Sequence, residues 1–399
     1  MQPQEPSRPT TGRAPWALWA LGFRPLYLGA ALFAAVSVPL WALQFAGWLP
    51  GLPVRGPLWH AHEMVFGFAL AVVAGFLLTA GRNWSNRPTP SGKVLMALAA
   101  LWLAARLLAF TPWAVATALA NVAFPLAVAW GLGRALWAGQ NRRNYFFVAL
   151  LVLLALATGL AQAALAGWIG PWGLAGLQGA LGLVLVIVTV MAGRVIPMFT
   201  NNAISHARAT RHATLERAAI ASVVLVLAAD LLSNWTPWVA PGALALLALA
   251  AALLHCARWW LWQPWTTLRT PLVWVLHLAY LWVPVHLALR AAAAWGLVGS
   301  SPAQHALTVG AIGGLTIGMM TRTARGHTGR PLRADGHDIA AYGLVLGAAL
   351  LRVALPLIWP PMLMTAAVLS AALWSAGFAI YAWHYRPWLC RARVDGQPG

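Results

Sequence analysis

The chain has 399 residues, 61% of them hydrophobic and 8% charged, with a mean hydropathy of +0.72 and a formal charge of +19. A water-soluble protein of this size needs far more polar surface, so lipid is the expected solvent and soluble enzyme classes are excluded. In a soluble chain the charge would point to nucleic acid; here the distribution of basic residues explains it, and no nucleic-acid partner is expected.

The polar N-terminal stretch MQPQEPSRPTTGRAP has no small-residue cleavage site after a brief apolar region, so it does not read as a signal peptide. Apolar runs then recur to the end of the chain. They place twelve transmembrane helices near 24–46, 58–80, 92–110, 114–137, 145–167, 172–198, 217–233, 238–258, 271–291, 304–322, 339–357 and 361–384. The expected fold is all-α: one polytopic bundle over 21–385, between a cytoplasmic tail at 1–20 and another at 386–399. With the N-terminus inside, 22 basic residues fall on the inner side, and only Arg55, Arg106, Arg290 and Arg352 on the outer side. That asymmetry sets both termini in the cytoplasm. The basic inner face also suits anionic membrane lipids.

Tryptophans near helix ends, among them Trp41, Trp48, Trp59, Trp113, Trp168, Trp172, Trp235 and Trp238, read as an interfacial belt. Cys256 and Cys390 form no CxxC, which gives no support for a disulfide framework, an iron–sulfur cluster or covalent haem. The only lysine is Lys93 and no P-loop is present. No internal repeat is read from the sequence, so an inverted-repeat transporter is not indicated.

Ionisable groups inside a membrane are costly, which makes each buried histidine a candidate site. His60, His62 and Glu63 open the second span, His305 opens the tenth, and His277 and His286 lie in the ninth. Neutral imidazole ligates copper, zinc and haem iron. On a regular helix His60 and His62 point about 200° apart and cannot face one ion. Either they meet at a frayed helix start near Pro57, or each serves its own site. His60, Glu63, Gly67, Ala71 and Ala74 share a face by i, i+3/i+4 spacing, and Glu63 there could orient His60 or carry protons. His277 and His286 are roughly 14 Å apart in rise and half a turn out of phase, too far for one ion unless Pro284 bends the helix. Gly310, Gly314 and Gly318 form a stripe below His305, either for close helix packing or as a flat surface for a porphyrin. Two longer inner loops stand out, at 193–219 and 321–341. In the second, Gly326 and Gly329 flank His327 among Arg322, Arg325 and Arg330. Guanidinium groups there suit a cofactor propionate, a lipid headgroup or a quinone; a basic loop obeying the charge rule is the simpler alternative. The adjacent His-His pair of respiratory haem–copper oxidases is absent.

The stretches GFRPLYL (22–28), WHAHEMVFGF (59–68), GFLLTAGRNWSNRP (75–88), GRVIPMFT (193–200), LHLAYLW (276–282) and GHTGRPL (326–332) together resemble the NnrS family of bacterial membrane proteins linked to nitrogen-oxide metabolism. The resemblance runs over nearly the whole length. It implies an inner-membrane protein holding haem b and copper that lessens nitric oxide stress. The family pattern matches His60, His62, Glu63, His277, His305, Arg322, His327 and Arg330; His286 departs from it. On this reading His60, His62, His277 and His305 are metal ligands, Glu63 is the catalytic proton carrier, and Arg322, His327 and Arg330 bind cofactor. Reductive removal of nitric oxide is the expected chemistry, with quinol or a redox partner protein as electron donor. A protein that binds or senses nitric oxide without turnover is the alternative, and a transporter of metal, haem or a small anion is a third.

Overall fold

The computed structural model describes residues 16–49, 56–170, 173–234, 236 and 239–397; Arg8, Arg13, Arg55, Trp172, Trp235, Trp238 and most of the N-terminal tail lie outside them. The described residues are helical, in this order: α1 (Phe23–Phe45), α2 (Gly56–Ser85), α3 (Gly92–Leu108), α4 (Ala114–Ala138), α5 (Tyr145–Leu165), α6 (Gly173–Ala203), α7 (Ala213–Ser233), α8 (Pro241–Leu261), α9 (Pro271–Ala294), α10 (Ser300–His327), α11 (Gly336–Ile358) and α12 (Leu363–Cys390). Short connections make neighbours antiparallel. Nine of the described helices are long and apolar enough to cross a bilayer, which makes the chain a multi-pass membrane protein. The three that fall outside that set are α3, α7 and α10, all of them at expected spans. With 17 residues, α3 is one or two turns shorter than most.

Local signals set the helix boundaries. Pro241 and Pro271 occupy first-turn positions of α8 and α9. Asp335 caps α11 in a reciprocal box with Asp338. The GHTGRP stretch is a helix stop. Gly329 adopts φ +75°, Arg330 N–H donates to Arg325 O at 2.9 Å, and Pro331 blocks continuation. A glycine beside His327 is therefore needed to end α10. The GFRPLYL stretch locks the first helix to the last. Arg24 is fully buried, and its Nη1 donates to the carbonyls of Trp388, Leu389 and Arg391, capping α12. Phe23 N–H donates to Thr79 on α2 at 3.1 Å. The last helix runs to Cys390, beyond the expected end at 384, and Arg24 caps the added turn.

Two helices share an unusual winding. A π-helical segment occupies Glu63–Ala69 within α2 and Ala306–Gly313 within α10, and each begins on the residue after a histidine. This register exposes an internal repeat that the sequence alone did not reveal. At a separation of 243 residues, His62, Gly67, Gly75, Arg82, Arg87 and Pro88 correspond to His305, Gly310, Gly318, Arg325, Arg330 and Pro331. Asn86, at φ +52°, corresponds to Gly329. A fainter copy in α6 keeps Gly179, Gly193 and Arg194 against Gly67, Gly81 and Arg82. The three copies lie four helices apart and so run in the same direction, unlike an inverted transporter repeat. Apolar alternation between these markers blurs the match, since any small hydrophobe serves in a lipid-embedded bundle.

The glycine stripe on α10 serves packing. A Cβ at Gly310 would overlap Trp282, one at Gly314 would lie 2.6 Å from the Ala279 Cβ, and one at Gly318 would lie 2.8 Å from a Leu276 methyl, all on α9. The stripe is covered by a helix and offers no open surface to a porphyrin. Gly310→Val should therefore lower stability by about 1–3 kcal/mol or more through overpacking, seen as a lower thermal midpoint in detergent. At Asp335, burial alone would raise the carboxyl pKa, but the backbone hydrogen bond at Asp338, with His384 and Arg325, holds it below the ordinary value. The stability this gives is present above the usual carboxylate range and lost as pH falls through the lowered value. Asp335→Asn should flatten that acid limb in a melting-temperature profile.

Candidate functional site

Call the end of the bundle holding Phe23, Ser85 and Cys390 the termini face, and the opposite end the His60 face. His60 and His62 lie on a regular α-helical turn that starts at Gly56, so the helix start is not frayed into a shared site. They point into different cavities on the His60 face.

The first cavity, about 360 Å³, lies between α1, α2, α6, α10, α11 and α12. His60 and His305 both line it and are half-buried. The His60 ring stacks on Trp41 with centroids 4.0 Å apart, and its Nδ1 is buried without a partner. His305 Nδ1 lies 2.8 Å from Ser301 O. That contact requires Nδ1–H as donor and leaves the Nε2 lone pair free, the tautomer of a metal ligand. Ser301, Gln304 and Arg352 add polar groups, and residues such as Met64, Phe68 and Val184 add apolar wall. Among the described residues, no acid pairs with Arg352.

The second cavity, about 370 Å³, contains His62, Glu63, Thr117 and Gln162 with Trp59. His62 is 1% exposed and both its ring nitrogens are engaged: Nδ1 lies 2.9 Å from Glu63 Oε1 and Nε2 2.7 Å from Gln162 Nε2. Glu63 Oε2 accepts from Arg106 at 2.6 Å, and Arg106 also donates to Asn121 Oδ1. Gly67 makes room for this ion pair, since a Cβ there would sit 2.6 Å from Arg106 Nη1. Glu63 and Gly67 share a face as the spacing required, while His60 lines the first cavity and Glu63 the second.

The other expected ligands lie elsewhere. His277 is buried on α9. Thr200 spends its hydroxyl proton on Ile196 O and therefore accepts from His277 Nε2 at 2.9 Å, while His277 Nδ1 is buried and unpaired. His286 Nδ1 donates to Ala303 O at 2.7 Å. At the termini face a third cavity, about 390 Å³, holds Arg322, His327 and Arg393 with Thr79, Asn83 and Phe199, and among the described residues no acidic side chain lines it. The Arg322 guanidinium lies over the Phe199 ring at 3.7 Å. Arg330 faces away, over Trp388.

The model of the NnrS protein family matches residues 17–393. The chain belongs to the NnrS family. No curated protein matches it. Several stretches that carry the likeness serve architecture in this family member. Within GRVIPMFT, a Cβ at Gly193 would overlap the buried Arg258–Glu216 pair. In LHLAYLW, Tyr280 OH bonds His255 at 2.6 Å, and Trp282 covers Gly310.

Sequence reasoning missed Arg106, Gln162 and Arg352 as site residues. For the two arginines the available signal was their place among the four exceptions to the positive-inside count; Gln162, uncharged, carried no such signal. A charge on the wrong side of that count needs a local reason, and Arg106 has one in Glu63. Arg106→Ala leaves a buried carboxylate unpaired and should cost about 3–5 kcal/mol. Adding Glu63→Gln should recover much of that loss in detergent unfolding curves.

Proposed function

We propose that this NnrS-family chain is a twelve-span protein of the bacterial inner membrane, both termini cytoplasmic, that binds haem b and copper and acts on nitric oxide by reductive removal. One observation carries the reading: His60 and His305, from two separate helices, open onto one cavity with ligand-competent nitrogens. The cavity's chemistry fits the group. An imidazole pair suits haem iron or copper. Arg352 supplies a guanidinium for a propionate carboxylate, and the apolar wall suits a macrocycle. The volume falls in the usual range for a ligand site. Haem bound there would supply a redox iron with affinity for nitric oxide.

The chain's own residues do the remaining work. Ser301 holds the His305 tautomer and Trp41 fixes the His60 ring plane. The apolar helices admit nitric oxide from lipid and exclude water. Reduction of two nitric oxide molecules to nitrous oxide and water takes two electrons and two protons. Quinol oxidised to quinone supplies both, and His327, Asn83 and Arg322 in the third cavity offer polar groups to its headgroup. Glu63 and His62 hold a proton-bearing pair in the second cavity, clamped by Arg106. That clamp favours the second reading, nitric oxide binding without turnover, if Glu63 serves only to position the helix.

Two experiments test this. Purified protein should contain iron and copper, with optical spectra shifted by nitric oxide. His60→Ala and His305→Ala should each lower the metal content several-fold, and His62→Ala should leave it close to wild type. Equal metal in all three variants overturns the assignment. Glu63→Gln should lower turnover at least tenfold at unchanged metal content; unchanged turnover favours binding without catalysis.

A further inference from the structure

The termini face carries a cluster that none of the three cavities uses. Asp335 caps α11, His337 stands in that helix's first turn, and His384 faces both from α12. One oxygen of Asp335 and one ring nitrogen of each histidine all lie within 4.8 Å of one another. His384 Nε2 is 3.0 Å from Asp335 Oδ2, and His337 Nδ1 is 3.6 Å from Oδ1. The two imidazoles stack with centroids 4.5 Å apart and planes 16° off parallel, bringing both donor edges to one carboxylate.

His384 Nε2 is buried and makes no hydrogen bond, although the carboxylate oxygen is within reach. The distance is right and the angle is wrong. A buried nitrogen in that position needs a partner, and a cation shared with the carboxylate satisfies both groups. The local charge permits it. Arg325 reaches Asp335 Oδ2 at 2.7 Å, but the same guanidinium is also bound through Nε and Nη2 to Asp338. Two carboxylates therefore face one guanidinium, and one negative charge remains. Asp335 Oδ1 is held by the backbone N–H groups of His337 and Asp338, which fixes the carboxylate in place.

We propose that Asp335, His337 and His384 bind one divalent first-row transition-metal cation of the imidazole-preferring class, such as zinc or copper(II), with water completing its shell. Two imidazoles and a carboxylate with open positions are an established donor set for such ions. Ligand bonds of about 2.0–2.2 Å require the three donors to close up slightly. His337 is the residue free to do so, since its side chain is 63% exposed. The site is on the face opposite His60 and His305 and does not depend on the haem reading.

The test uses full-length protein without a polyhistidine tag, purified in detergent, stripped with chelator and titrated with cobalt(II). One equivalent should bind, with visible absorption bands, and zinc(II) should displace it. His337→Ala and His384→Gln should each weaken that equivalent at least tenfold while iron content stays at the wild-type level. The exposed His337 can be replaced without risk to the fold, so the test stands if His384→Gln destabilises the bundle. No stoichiometric cobalt in the wild type, or an unchanged equivalent in His337→Ala, overturns the proposal. Iron content is measured separately, so failure here leaves the His60–His305 reading intact.

Discussion

A carboxylate in an apolar bundle must find its counter-charge inside the bundle. The chain has only seven acids, and each of the six among the described residues pairs with an arginine. Four of these pairs join different helices: Glu63 to Arg106, Glu216 to Arg258, Asp230 to Arg290 and Asp338 to Arg325. Hydrophobic burial does not choose among helix arrangements when lipid is as apolar as the core. Buried ion pairs, small-residue contacts and buried hydrogen bonds do choose, because breaking any of them leaves a charge, a void or an orphaned polar group.

The pairs also shape the site. The Glu63–Arg106 pair occupies one side of α2 and draws His62 with it through Nδ1. His60, two residues earlier, is left to face the other side, where α10 brings His305. One helix thereby separates a cavity with ligand-competent histidines from a cavity with a clamped acid. The π segments that follow His62 and His305 widen the winding there, as π turns at functional sites often do. The same device recurs in α2 and α10 with different surroundings. His60 belongs to α2 alone, since Ala303 stands at the corresponding place in α10.

Several expectations changed meaning once the helices were packed. Trp41 and Trp59, near helix ends, fit an interfacial belt by position, yet both are buried and each walls a histidine cavity. Trp48 and Trp113, more than 60% exposed, suit the belt as expected. The helix-ending role of Gly329 became visible only when its left-handed conformation and the Arg330-to-Arg325 bond were seen. The Asp335–His337–His384 cluster was not legible at all. His384 is 47 positions beyond His337, and no spacing rule joins a helix start to the far end of the next helix.

The sequence by itself determined the all-helical class, the lipid environment, the family and the presence of histidines near one end of the bundle. Those properties follow from composition, apolar run length and short local motifs, each read within a single helix. Helix geometry left His60 and His62 two alternatives, a frayed start or divergent sites, and the regular turn from Gly56 decided for divergence. Tertiary structure alone decided which histidine meets which. It put His305 with His60, put Arg106 and Gln162 with His62, and left His277 alone with Thr200. Those outcomes depend on the rotation of each helix about its own axis. In a bundle that is apolar on nearly every side, few sequence positions fix that rotation, and the buried ion pairs that do fix it lie dozens of residues apart.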